Sequence, residues 1–276
     1  MRGVIAGLLL VVGLVLVPFA DLGIWTRRQL LPTDAFTDVA TEVVQQDAVQ
    51  AALASRVADE IVAREPRVRL GRVVLEPAVR QALGTPQFEQ IFRLAVTSTH
   101  QQLVRGDDQL TLNLDGLLPI VRGFVANVDQ GLASRIPDSL GLPAFTVVRK
   151  SEIPQLWFGV DVTRRASWVF PVLMVLALAA AIAVAPKHAL MLVIAGFGVA
   201  FFCLMVVLAL RVGRDMLSDV VGPEVDVNAF DAGYDVVTDS LVNQTFVLGG
   251  IGIVAAAVGV VLMVRRGANT RPAVWA

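Results

Sequence analysis

Four long apolar runs decide what this chain can fold into. They cover residues 4–25, 168–185, 189–210 and 246–264, and none carries Asp, Glu, Lys or Arg in its central part. At about 1.5 Å of rise per residue, each is close to the ~20 residues that cross ~30 Å of hydrocarbon as a helix. Helix is required there, because the backbone must satisfy its own hydrogen bonds. Composition agrees: 17% of residues are charged and mean hydropathy is +0.68, whereas a soluble domain has roughly a quarter charged.

The first run is longer than the 7–15-residue apolar core usual in removable signals, and Pro18-Phe19-Ala20 is a poor small-x-small cleavage site. It is read as a retained anchor. The single cysteine, Cys203, lies mid-run in FFCLM, so no disulfide framework or paired-thiol metal site is available. Its expected role is a small apolar side chain between helices.

Between the second and third runs the apolar sequence stops only for Pro186, Lys187 and His188. That interruption is too short for a domain and is read as a tight turn. With four spans, the N-terminus, this turn and the C-terminal tail share a side, which carries Arg2, Lys187, Arg265, Arg266 and Arg271. The other short loop holds Arg214, with Arg211 at its margin. Short loops dominate the positive-inside rule, so the turn is expected to face the cytoplasm. Arg27, Arg28, Arg164 and Arg165 flank the large segment and count the other way, but long segments translocate largely regardless of charge. On this topology no nucleotide-binding or DNA-binding module fits on the cytoplasmic side.

The large segment, 26–166, has helical periodicity. Phe36, Val39 and Val43 recur on one face, then Val49, Leu53, Val57 and Ile61, with Asp34 and Asp47 as expected N-caps. Thr85-Pro86 opens another helix, whose inward stripe is Phe88, Phe92, Ala95 and Leu103. Leu117, Val121, Phe124, Val128 and Leu132 repeat the pattern. QLTLNLD alternates with period two and FTVVRK is a weaker partner strand. The expected fold is therefore a mainly α membrane protein. It has four transmembrane helices (1–25, 167–185, 189–211 and 243–264), a small helical α+β extracytoplasmic domain (26–166), a helical external hairpin (212–242) and a cytoplasmic tail (265–276). In that hairpin Val212, Met216 and Val220 continue the third span, Gly222-Pro223 turns, and Phe230, Tyr234, Val237 and Leu241 line the return helix.

The motif L-x-TD-x-F occurs as Leu31, Thr33-Asp34 and Phe36. It is followed by D-x-V-x-x-ALA-x-x-V as Asp47, Val49, Ala52-Leu53-Ala54 and Val57. With a span before it and a hydrophobic hairpin after the domain, the chain resembles a family of uncharacterised actinobacterial integral membrane proteins. The likeness covers about the first 65 residues and the general layout, and it implies no catalytic residues.

Candidate sites are few. The hairpin holds Asp215, Asp219, Glu224, Asp226, Asp231, Asp235 and Asp239 against Arg214. Asp231, Asp235 and Asp239 stack on one helix face, where like charges repel and need an offset. The spacing matches no regular calcium loop, so a solvated face or an arginine partner is the expected answer. An internal partner is the basic cluster Arg64, Arg67, Arg69 and Arg72 in AREPRVRLGR; anionic lipid or simple exposure are the alternatives. Asp21 lies about one turn inside Trp25, where an unpaired charge is costly. It is expected to pair with an arginine at a neighbouring span end, Arg211, Arg164 or Arg165, with exposure at the interface as the alternative.

His100 falls on the polar side of its expected helix, where a general base is conceivable, but no H-E-x-x-H motif exists. Ser151 beside Lys150 makes no dyad, because adjacency alone places no nucleophile near a base. The Asn243-Gln244-Thr245 sequon lies too close to the membrane for glycosylation. No catalytic residue, metal site or cofactor is expected, and net charge −1 argues against nucleic acid. The expected partners are the lipid bilayer and another envelope protein or cell-envelope component, in an oligomeric state the sequence leaves open. A transporter accessory subunit and an envelope enzyme are the alternative readings; against the former, the central parts of the spans carry no ionisable residues.

Topology is directly testable. In a Cys203→Ser background, a cysteine at Ser139 is expected to react with a membrane-impermeant thiol reagent in intact cells. Labelling only after lysis would turn the molecule over.

Overall fold

The computed structural model describes residues 1–64, 72–105, 109–112, 117–126, 130–134, 145–149, 154–220 and 226–269. In chain order the elements are α1 (Arg2–Val15), α2 (Val17–Trp25), a π-helical turn (Thr26–Leu30), α3 (Thr33–Gln45), α4 (Asp47–Arg64), α5 (Arg72–Leu83), α6 (Pro86–Arg105) and β1 (Gln109–Leu112). Then follow α7 (Leu117–Ala126), α8 (Gln130–Ala133), β2 (Phe145–Arg149), α9 (Pro154–Val184), α10 (His188–Val220) and α11 (Val227–Asn269). The chain divides into two compact units. One comprises Met1–Arg28, Val162–Gly213 and Thr238–Ala276; the other comprises Gln29–Asp161 and Arg214–Val237.

Among the described residues four helical stretches are long and apolar enough to cross a membrane: Arg2–Leu30, Arg165–Val184, His188–Ser218 and Val227–Arg265. The first steps at Leu16, between α1 and α2, because Pro18 has no N–H to donate and its ring crowds the carbonyl four residues earlier. Leu16 keeps helical angles (φ −76°, ψ −14°), so the chain direction is kept through the step. At the Pro186-Lys187 turn, His188 Nδ1 donates to the carbonyl of Ile182 at 2.6 Å and caps the end of α9.

Packing here is the reverse of a soluble core. Alanines 6, 20, 181, 195 and 256 are buried, while Leu8, Val11, Val172, Phe197, Phe201 and Val254 face outward. Lipid tails are as apolar as leucine, so large side chains gain little by leaving them. Small ones let backbones approach and gain dispersion contact. The closest approach is between α10 and α11. A Cβ on Gly196 would collide with the carbonyl oxygen of Gly252 and come within 2.6 Å of the backbone nitrogen of Ala256. Gly259 approaches the Ala189 carbonyl in the same way, with 2.9 Å left for a Cβ. Partner numbers fall along α11 as they rise along α10, so the two helices run antiparallel. Gly13 and Gly23 face Leu178 and Ser167, which sets α1–α2 antiparallel to α9. Around these contacts Val17, Ala20, Met174, Val199 and Cys203 make one buried cluster, and Leu10, Ala181 and Ala195 make another.

The second unit has a continuous apolar core in which Val44, Ala54, Ala58, Ile61, Leu75, Val79, Ala82 and Phe88 are all buried. Thr85 opens α6 as its sequence implied: its hydroxyl accepts the N–H of Phe88 at 3.2 Å. The expected faces are rotated elsewhere. On α4 the deepest residues are Ala54, Ala58 and Ile61, while Leu53 is exposed, because α5 packs closely there and its own Ala78 and Ala82 meet small residues best. Sequence reading made no helix of 72–83, although Leu75, Ala78, Val79 and Ala82 carry its i, i+3, i+4, i+7 pattern. The α+β expectation for this domain does not hold. Its packed layers are helices, and the strand-like segments form only a two-stranded antiparallel ribbon, Gln109 opposite Arg149 and Leu112 opposite Phe145. A ribbon of that size supplies no sheet face for helices to cover.

The close α10–α11 contact predicts that Gly196→Leu lowers the melting temperature of the purified protein in mild detergent. Gly250→Leu, at a glycine with open space around it, is expected to leave it unchanged. Equal melting of the two variants would contradict the packing.

Candidate functional site

Three constellations collect the polar side chains. The first joins Asp21 on α2 to α11 within the apolar unit. Asp21 is fully buried. Gln244 donates from Nε2 to Asp21 Oδ1 at 2.8 Å and to its backbone carbonyl at 2.8 Å. Thr245 places its hydroxyl 2.5 Å from Asp21 Oδ2 and 2.8 Å from the Leu241 carbonyl. One turn along, Trp25 Nε1 donates to Ser240 Oγ at 2.8 Å. Residues 21 and 25 thus meet 244–245 and 240, an antiparallel polar ladder. The expected ion pair of Asp21 with Arg211 is corrected: the described partners are neutral donors, and Arg211 is exposed. A neutral donor set has a physical reason, since an arginine brought to this depth would itself need desolvation. Sequence reading passed over Gln244 and Thr245 as part of a sequon. Their signal was a polar pair one turn inside an apolar helix, at the level of Asp21 in the first run.

The second constellation is the acidic face. Arg214 on α10 lies between Asp231 and Asp235 on α11, with Nη2 at 3.3 Å from Asp231 Oδ2 and Nη1 at 3.1 Å from Asp235 Oδ1. Its Nε also reaches Asp231 Oδ1 at 3.4 Å. One guanidinium therefore offsets the like charges that stack at i and i+4. Asp239 is engaged separately by Asn243 Nδ2 at 2.9 Å. Asp226 caps α11 by accepting the N–H groups of Asn228 and Ala229 at 2.8 and 3.1 Å. The arginine partner for the acidic face thus comes from the hairpin itself. Arg67 and Arg69 lie outside the described residues, and of Arg64 and Arg72 only the helical backbone is described. Their expected docking on Asp231, Asp235 and Asp239 lies outside what is described.

The third constellation joins α3 to α6. His100 is not on a solvent-facing side; it is buried, and its ring stacks on Phe36 at 4.4 Å between centroids. Nε2 lies 2.9 Å from the Leu30 carbonyl, and Nδ1 lies 3.1 Å from Thr33 Oγ1. A carbonyl only accepts, so Nε2 carries a proton. Thr37 and Thr97 follow at 3.1 Å between hydroxyls, then Arg93 with Asp38 at 2.6 Å. Residues that read as a polar helix face from sequence form a helix–helix seam. Arg93 and Asp38 are largely exposed and contribute little, on the order of 0–1 kcal/mol; the buried part of the seam, Thr37 and His100, locates α3.

Among the described residues no three or more His, Cys, Asp or Glu side chains converge as a metal site would. No family model matches the chain, and no curated protein or solved structure matches it.

Asp21→Leu is expected to cost about 1 kcal/mol, two lost interhelical side-chain contacts at roughly 0.6 kcal/mol each in a membrane, and to lower the melting temperature in detergent. Asp21→Asn should melt close to the wild type, because an amide can still accept from Gln244 and can donate to Thr245. Wild-type melting of Asp21→Leu would show that the ladder is dispensable.

Proposed function

We propose that this protein is a non-enzymatic, membrane-anchored envelope protein. Its helical domain, residues 26–166, lies outside the membrane with the acidic hairpin and binds or scaffolds another envelope component. The N- and C-termini face the cytoplasm. The observation that supports this reading best is the use made of His100. A general base needs an accessible lone pair, and here Nδ1 is engaged with Thr33 on α3 and Nε2 with the Leu30 carbonyl of the π-helical turn, while one ring face is covered by Phe36. In the same seam the buried Thr37 hydroxyl is likewise committed to joining helices, through Thr97. What the domain offers its surroundings is helical surface, with Val73 on α5 and Leu94 on α6 exposed.

Photo-crosslinking in intact cells tests this. A benzophenone amino acid at Leu94, Val73 or Glu42 is expected to give a discrete adduct at some positions and none at others, as a defined docking face would. Uniform absence of adducts, or catalytic turnover by the purified protein that disappears in a folded His100→Gln variant, would overturn the proposal.

A further inference from the structure

The first unit carries a groove of about 610 Å³ between the end of α2 and the start of the apolar part of α9. Its two ends differ in chemistry. One end is cationic: Arg27 and Arg28 sit side by side in the π-helical turn, both exposed. The Arg27 guanidinium lies 3.4 Å from the centre of the Trp168 ring. That stacking holds the cation in place through the ring's negative face and leaves the in-plane N–H groups free to donate. Among the described residues no carboxylate lines the groove and neither arginine has an acidic partner. The rest of the wall is apolar. Val172, Val175 and Leu176 follow Trp168 on α9, and all are about half exposed or more. From Trp168 to Leu176 the helix advances about 12 Å at ~1.5 Å per residue.

We infer that this groove is a binding site for an anionic phospholipid. Its phosphate is held by Arg27 and Arg28 beside Trp168, and one acyl chain lies along Val172, Val175 and Leu176. The occupant is argued from complementarity. Two adjacent guanidinium groups with no acidic partner among the described residues call for a phosphate, which arginine binds through paired N–H donors. A wall of aliphatic side chains directly below them calls for a chain attached to that phosphate. Tryptophan at this level matches the preference of its ring for the headgroup region. A soluble phosphate would leave the apolar wall empty, and a zwitterionic lipid would bring a second cation against the arginines.

Native mass spectrometry of the full-length protein, released from detergent doped with phosphatidylglycerol or phosphatidylcholine, tests the site. The wild type is expected to retain one phosphatidylglycerol in preference to phosphatidylcholine. Arg27→Gln/Arg28→Gln should weaken that retention on the order of thirtyfold, since each arginine near an anionic headgroup contributes about a factor of five. Lys187→Gln/Arg265→Gln removes the same charge elsewhere and should leave retention unchanged. Val175→Trp, which blocks the wall and keeps both arginines, should also lose the lipid, so the answer does not rest on one variant's folding. Equal retention of the two lipids by the wild type, or retention of phosphatidylglycerol by both groove variants, overturns the inference. Parallel loss in the Lys187→Gln/Arg265→Gln control does so too, because it would reduce the effect to net charge.

Discussion

The backbone-to-backbone approach of α10 and α11 is the contact on which the apolar unit depends. In an apolar solvent no hydrophobic force drives these helices together, so association must come from surfaces that fit and polar groups that pair. Gly196 against Gly252 and Ala256 supplies the fit, because any side chain at Gly196 would occupy space the facing backbone already fills. Once α10 and α11 are this close, α11 presents Ser240, Gln244 and Thr245 to α2. The polar ladder to Trp25 and Asp21 then fixes how the first helix lies.

The second unit solves its packing problem differently. Its helices carry buried aliphatic side chains on one face, and burying these from water is favourable at roughly 25 cal/mol per Å² of apolar surface. Its core of Ile61, Leu75, Val79 and Phe88 exploits that. Yet the α3–α6 contact is polar, with His100, Thr33, Thr37 and Thr97 where aliphatic residues would give more burial. A directional contact specifies register where an aliphatic one would tolerate sliding: His100 reaches the Leu30 carbonyl and the Thr33 hydroxyl only if α3 begins where it does.

Both proposals draw on what these packing solutions leave over. In the helical domain the buried polar groups are spent on structure, which leaves its surface as the part able to engage a partner. In the apolar unit Asp21 is satisfied internally, while among the described residues Arg27 and Arg28 have no acidic partner. On the lipid proposal, an arginine pair above an aliphatic wall serves recognition of a headgroup and its chain.

Much of the apolar unit was legible from sequence alone. Runs of about 20 uncharged residues dictate helices in hydrocarbon, and a three-residue break at Pro186-Lys187-His188 dictates a hairpin turn. The Thr85-Pro86 start of α6 was equally readable, because capping chemistry is local. The partners of polar residues were not. Asp21 pairs with residues more than 220 positions away, and nothing in its neighbourhood distinguishes that ladder from the arginine pair expected of it. The α4 face was misread at Leu53 because alanine counts for little in a hydropathy pattern, yet it is what a close helix crossing selects. His100 read as solvent-facing because a polar stripe looks the same whether it meets water or another polar stripe. Periodicity and length, which belong to a single helix, were decided by the sequence. Which stripe meets which is a property of two helices at once, and only the tertiary structure decided it.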